Sequence, residues 1–187
     1  MTVEEIFQEL AAHMLKGTMI HSQMSVAYGF LNLYGYQKCH EYHYCAENKN
    51  YRCVQKYYLE HYNKMIHEKE AEKPNLIPDN WYKYSKQEVD INTKRSAIKE
   101  LMKTWVNWET ETKNLLQVFY KELYEIGEIC AALKIKKFLE DVDKELNKAQ
   151  MKYINLETIG YDISAIVKEQ KNLYEEFHKK IKTVYKD

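Results

Sequence analysis

Residues 35–48 read GYQKCHEYHYCAEN, setting two cysteines, two histidines and two glutamates within fourteen positions. Imidazole, thiolate and carboxylate are the side chains that ligate transition metals, and a thiol pair is also the raw material of a redox site. Wound into a helix at about 100° per residue, however, Cys39, His43 and Glu47 stack on one side, His40 lies at its edge and Cys45 faces away. One helix cannot bring these groups into tetrahedral convergence, so the run by itself is no closed zinc site.

A partner helix changes the reading. If the chain doubles back near Tyr34, residues equally far on either side lie level, and His21 comes beside His43 and Glu47. Two imidazoles and a carboxylate can hold one transition ion. They can equally form a buried network in which Glu47 fixes a histidine by hydrogen bonding. Both readings stand at this level. His13, on the apolar stripe of the first helix, reads as a core histidine with a local partner, and Trp105 and Trp108 as core anchors.

The elements that must position these residues are helices. Five glycines and two prolines in 187 residues leave few turn-formers, which favours long helices over many short strands. One stripe recurs every three or four positions through Ile6, Leu10, Met14, Gly17, Ile20, Met24 and Tyr28, giving a helix over 3–33. A second runs over 36–68 with Val54, Tyr57, Tyr58, His61 and Met65 on its stripe, completing a hairpin over 3–68. Residues 72–94 hold both prolines and little periodicity, and are long enough to cross a bundle from end to end. A second hairpin, 94–158, follows, with helices over 94–126 and 129–158 broken at Gly127. A last amphipathic helix covers 162–185. The expectation is one all-α domain over 1–187: two hairpins, one long crossover and an extra C-terminal helix.

Composition excludes several functions. Twenty-eight basic and 28 acidic residues balance to zero, and Arg52 and Arg95 are the only arginines, which argues against nucleic-acid binding. No apolar run reaches the length of a membrane span, and MTVEEIFQEL has no signal-peptide pattern; a cytoplasmic protein with reduced cysteines is expected. There is no GxSxG, no phosphate-binding glycine loop and no HExxH. Seventeen tyrosines, several spread all round the second helix, point to a surface used for a protein partner or a homo-oligomer.

Some segments carry a family resemblance. WETETKNLLQVFYKELYEIGE with LKIKKFLEDVDKEL resembles the third and fourth helices of ferritins, and VAYGF with YYLEHYNKMI resembles their first two. The chain also resembles a family of ferritin-like small proteins carried by phages and prophages of low-GC Gram-positive bacteria. The resemblance implies a ferritin-like four-helix bundle. It places His61 on the histidine of the Glu–x–x–His pair, with Tyr58 where the glutamate belongs. Glu111 falls on the third-helix glutamate, Asp143 or Glu145 on the fourth, and Lys16 near the first-helix ligand. Of the acidic group 140–145, Asp143 is expected to lean inward.

A di-iron site that loses two carboxylates and gains a lysine is degenerate. The expectation is therefore a non-enzymatic bundle without a cofactor, acting by protein–protein binding; on the phage resemblance, it would modulate a host process such as a defence nuclease. The alternative is a metal-binding protein, an iron or other transition-metal oxidase or storage protein, with a relocated site drawn from His21, His43, Glu47, His61, Glu111 and Asp143.

Overall fold

Thr2 opens the first helix with a capping box: its hydroxyl accepts from Glu5 N–H (3.2 Å), and the Glu5 carboxylate accepts from Thr2 N–H (2.8 Å). In the computed structural model, which describes residues 1–67, 69–79, 81, 85 and 88–184, this helix, α1, spans Val3–Phe30. A tight turn with Asn32 at φ +60° leads into α2, Tyr34–Tyr62, which stops at Asn63 in the left-handed conformation. Asp90 caps α3, Ile91–Glu125, through Asn92 and Thr93 N–H. Gly127 at φ +82° turns the chain into α4, Ile129–Thr158; Gly160 at φ +58° turns it again, and Asp162 caps α5, Ile163–Ile181. Among the described residues there is no strand, and no helix is long and apolar enough to cross a membrane. The all-α expectation holds, with α2 ending six residues short of the expected 68.

The crossover climbs α1. Lys69 pairs with Glu9, Glu72 with Lys16, the Gln23 amide brackets Pro74 and Leu76, and Trp81 stacks on Phe30 at 5.3 Å. The chain therefore returns to the end where α1 finished before α3 starts. The four long helices run up, down, down, up, with α1 packed on α2 and α3 on α4. Residues Tyr82, Lys83 and Tyr84 of the crossover's aromatic run, and Tyr185 at the expected end of the last helix, lie outside the described residues.

The fifth helix lies against α2. Leu33, at the N-cap of α2, supplies no side-chain acceptor. Gln170 of α5 fills that role: its amide oxygen accepts from Gly35 N–H (2.8 Å) and Tyr36 N–H (3.2 Å). A Cβ at position 35 would sit 2.5 Å from the Gln170 carbonyl oxygen, so only glycine permits this approach.

Most of the buried apolar side chains fall into two clusters. One gathers Ile6, Leu10, Met14, Leu116, Phe119 and Ile135; the other gathers Met24, Tyr28, Ile98, Trp105, Ala149 and Ile166. Between them lies a polar layer.

Candidate metal centre

The polar layer draws side chains from all four long helices. His13, Gly17 and His21 come from α1, His40, His43 and Glu47 from α2, Glu109 and Thr112 from α3, and Glu145 from α4. His21, His40, His43, Glu47 and Glu109 are all buried. Buried polar groups are destabilising unless each finds a partner, so this layer is where the fold departs from pure core packing.

Half of the layer is self-satisfied. His13 Nε2–H donates to Thr112 Oγ (2.8 Å), whose own hydroxyl donates to the Trp108 carbonyl (2.9 Å), and the His13 ring stacks on Trp108 at 4.2 Å. His13 is thus the partnered core histidine its position suggested.

The other half is not. His21, His43 and Glu109 each turn a ligand atom toward the same point, the three atoms lying within 4.8 Å of one another. His21 Nε2 stands 3.9 Å from Glu109 Oε1, too far for a hydrogen bond. It is close enough for both to reach one ion at about 2.1 Å each. The His21 and His43 rings lie 5.1 Å apart. Glu145, partly exposed, brings Oε2 to 3.7 Å from His43 Nε2.

Outer residues orient this set. The Trp105 indole N–H donates to Glu109 Oε1 (3.0 Å), and His21 Nδ1 meets His40 Nδ1 at 3.0 Å. One of those two nitrogens must donate. If it is His21, its Nε2 presents a bare lone pair to the shared point, the tautomer a metal ligand needs. His40 is in turn wedged between the faces and edges of Tyr28 and Trp105. His21 Nε2, His40 Nε2 and Glu47 Oε2 have no hydrogen-bond partner among the described residues.

Burial sets the protonation. It drives the pKa values of His21, His40 and His43 well below the ordinary imidazole range, reinforced by their mutual repulsion, so all three are neutral. Burial pushes Glu109 up to about 8, with further upward push from Glu47 and Glu145 and a counter-effect from the Trp105 hydrogen bond. Burial likewise raises Glu47 to about 7, against a hydrogen bond from Asn50. Neutral imidazoles beside carboxylates that resist ionising are a donor set short of positive charge. A cation at the shared point reverses that logic.

Of the sequence-derived candidates, the structure brings His21 and His43 together, but the carboxylate that converges with them is Glu109; Glu47 lines the cavity beside His43. The other three lie elsewhere. His61 is exposed and stacks on Tyr57 at 5.2 Å, a full helix end away. Glu111 is exposed, 3.9 Å from Lys16. Asp143 pairs with Lys113 at 2.7 Å, so the acidic residue facing inward on α4 is Glu145. Two positions along a helix is about 200°, which turns Glu111 and Asp143 outward when Glu109 and Glu145 point in. Glu109 was missed by the sequence reading; the signal for it is its place one turn after Trp105, beside the Leu101–Trp105–Trp108–Thr112 stripe.

Gly17 makes room for this layer. A Cβ there would lie 2.7 Å from Trp108 Cζ2 and 3.3 Å from Glu47 Cδ. Trp108 is held by its stack on His13 and cannot yield without disturbing that pair. Gly17→Ala is expected to destabilise the fold by about 1–3 kcal/mol, measured by urea unfolding, through overpacking.

A cavity of about 500 Å³ opens from the layer to solvent, bounded by Tyr42, His43, Glu47, Asn50, Glu109 and Glu145 among others. Comparison of the chain with protein-family models, with curated proteins and with solved structures finds no match.

Proposed function

We propose that this protein binds a transition-metal ion in the middle of a ferritin-like bundle. His21, His43 and Glu109 are the direct ligands, with Glu47 and Glu145 beside them. The observation that carries the reading is the convergence of three buried ligand groups within 4.8 Å, with the unpartnered His21 Nε2 and Glu109 Oε1 3.9 Å apart, a separation a single ion would bridge. The up, down, down, up order and the end-to-end crossover support the ferritin-like assignment. The centre differs from the family pattern in its residues, drawing histidines from α1 and α2.

An imidazole–carboxylate set without a thiolate suits Fe(II), Mn(II), Co(II) or Zn(II) rather than Cu(I) or an iron–sulfur cluster. A bound ion of this group supplies Lewis acidity and, for iron, redox chemistry. The chain's own residues hold the imidazoles in place through the His21–His40 contact and the Trp105–Glu109 hydrogen bond, and the polar cavity leads from the layer to solvent. Elemental analysis after dialysis against Fe(II) under anaerobic conditions, and separately against Zn(II), is expected to give about one ion per chain in wild type. His43→Ala should bring this to background. Background metal in the wild type would overturn the reading.

A second reading has its own observation. Tyr124, Ile126, Ile129 and Leu133, around the α3–α4 turn, are each about half exposed. Such a group at one end of the bundle suits a protein partner or a second copy of the chain. Ile129→Glu is expected to shift the mass measured by light scattering toward the monomer. An unchanged mass of one chain in both forms would remove the homo-oligomer version.

A further inference from the structure

A second chamber adjoins the polar cavity, lined by residues of α2, α3, α4 and α5. It has a volume of about 450 Å³, within the range of small-molecule pockets. Its walls are Tyr36, Cys39, Trp105, Met151, Leu173 and Phe177. Tyr36, Cys39 and Trp105 are themselves buried, so the inner wall is built of core side chains. His43 and Glu145 border both this chamber and the polar cavity.

The charges around the chamber are already matched. Lys148 pairs with Glu145 at 2.7 Å, Lys152 with Glu169, and Lys180 with Glu176. A charged guest would have to break one of these pairs or remain unpaired in an apolar site. Three aromatic rings and a thioether favour a flat, polarisable guest. Hydrogen bonding is on offer from the Asn147 and Asn155 amides and the imidazole of His43.

We infer that this chamber is a binding site for a neutral, flat aromatic molecule of one or two rings, seated between Trp105 and Phe177 with its single polar group toward His43. The site goes beyond metal binding: of the residues that line it, His43 and Glu145 alone belong to the proposed metal centre, and the rest of its wall is apolar, amide or ion-paired.

Indole serves as the probe, titrated calorimetrically into chelator-treated protein. One indole per chain is expected, with saturable binding. Met151 is 60 % exposed at the rim, so Met151→Trp leaves the core alone while narrowing the mouth. That variant, and Asn155→Trp as an independent one, are expected to weaken indole binding by roughly tenfold or more. Both should leave Co(II) binding unchanged. Indole-3-acetate and tryptamine should bind more weakly than indole. The inference is overturned if indole shows no saturable binding, if both rim variants bind it as tightly as wild type, or if either charged analogue binds better. Failure of Co(II) to bind, by contrast, bears on the polar centre alone.

Discussion

Glu109→Gln is expected to abolish tight Co(II) binding and, in the same molecule, to make the metal-free protein more stable at pH 8. Two separate physical effects produce this pair of results. The carboxylate supplies the negative charge of the His21–His43–Glu109 set, and an amide oxygen is a poor substitute. Even changes to outer residues of metal sites reduce affinity by about 10–100-fold, so loss of a direct ligand should exceed that range. The stability gain comes from the burial that makes Glu109 useful. Its carboxyl is held at about 8 in the folded protein against an ordinary value of 4.5. Above the ordinary value the unfolded chain releases the proton and the folded chain keeps it, so folding is penalised by an amount on the order of a few kcal/mol by pH 8. Glutamine removes that penalty and keeps an oxygen for the Trp105 N–H, 3.0 Å away in the wild type. Titration calorimetry with Co(II) and urea unfolding of chelator-treated protein measure the two halves. Weakened binding with unchanged or lowered stability would mean that Glu109 is an ordinary structural acid.

The second large effect is a stability optimum near pH 6.5 in metal-free protein, which metal loading displaces to higher pH. On the acid side the buried histidines decide. His13 is lowered to about 4 and His21, His40 and His43 lie well below the ordinary 6.5, so below pH 6.5 the unfolded chain binds protons that the folded chain refuses. Each such group removes about 1.4 kcal/mol per pH unit at full slope. On the alkaline side Glu47 and Glu109 decide, with the opposite sign: stability falls as pH rises toward about 7 and about 8, respectively. A bound cation holds both carboxylates ionised and cancels the alkaline fall. The difference in melting temperature between loaded and metal-free protein should therefore widen from pH 6 to pH 8, as scanning calorimetry would show. Parallel profiles would contradict the coupling.

Much of the fold was legible because helices announce themselves locally. Apolar spacing marked all five, and Gly127, Gly160 and the left-handed turn near Asn32 fall where the chain reverses. The level relation across the first hairpin sets His21 beside His43, and their rings lie 5.1 Å apart. The third and fourth helices offered no such anchor. Their orientation about their own axes depends on how Trp105 and Trp108 pack against Gly17 and the histidines, a tertiary matter that alignment with a weakly similar pattern cannot settle. An error of two residues turned Glu111 and Asp143 inward in place of Glu109 and Glu145. Lys16, near the place of a ligand by resemblance, instead reaches out to Glu72 of the crossover at 2.9 Å.

The cysteines of the opening motif take no part in the polar layer. Cys45 and Cys53 are partly exposed and Cys130 is exposed; Cys39 is buried in the wall of the apolar chamber, where burial holds its thiol protonated. In the proposed metal centre, CHEYHYC would contribute one direct ligand, His43, and one orienting residue, His40.

The most direct test of the central claim is the visible absorption of chelator-treated protein titrated anaerobically with Co(II) at pH 8, in wild type and in His21→Ala. The expected result is a set of Co(II) d–d bands that saturates at one equivalent in the wild type and is absent in the variant. Wild-type spectra that rise without saturation, or bands that survive intact in His21→Ala, would contradict a metal centre between α1, α2 and α3.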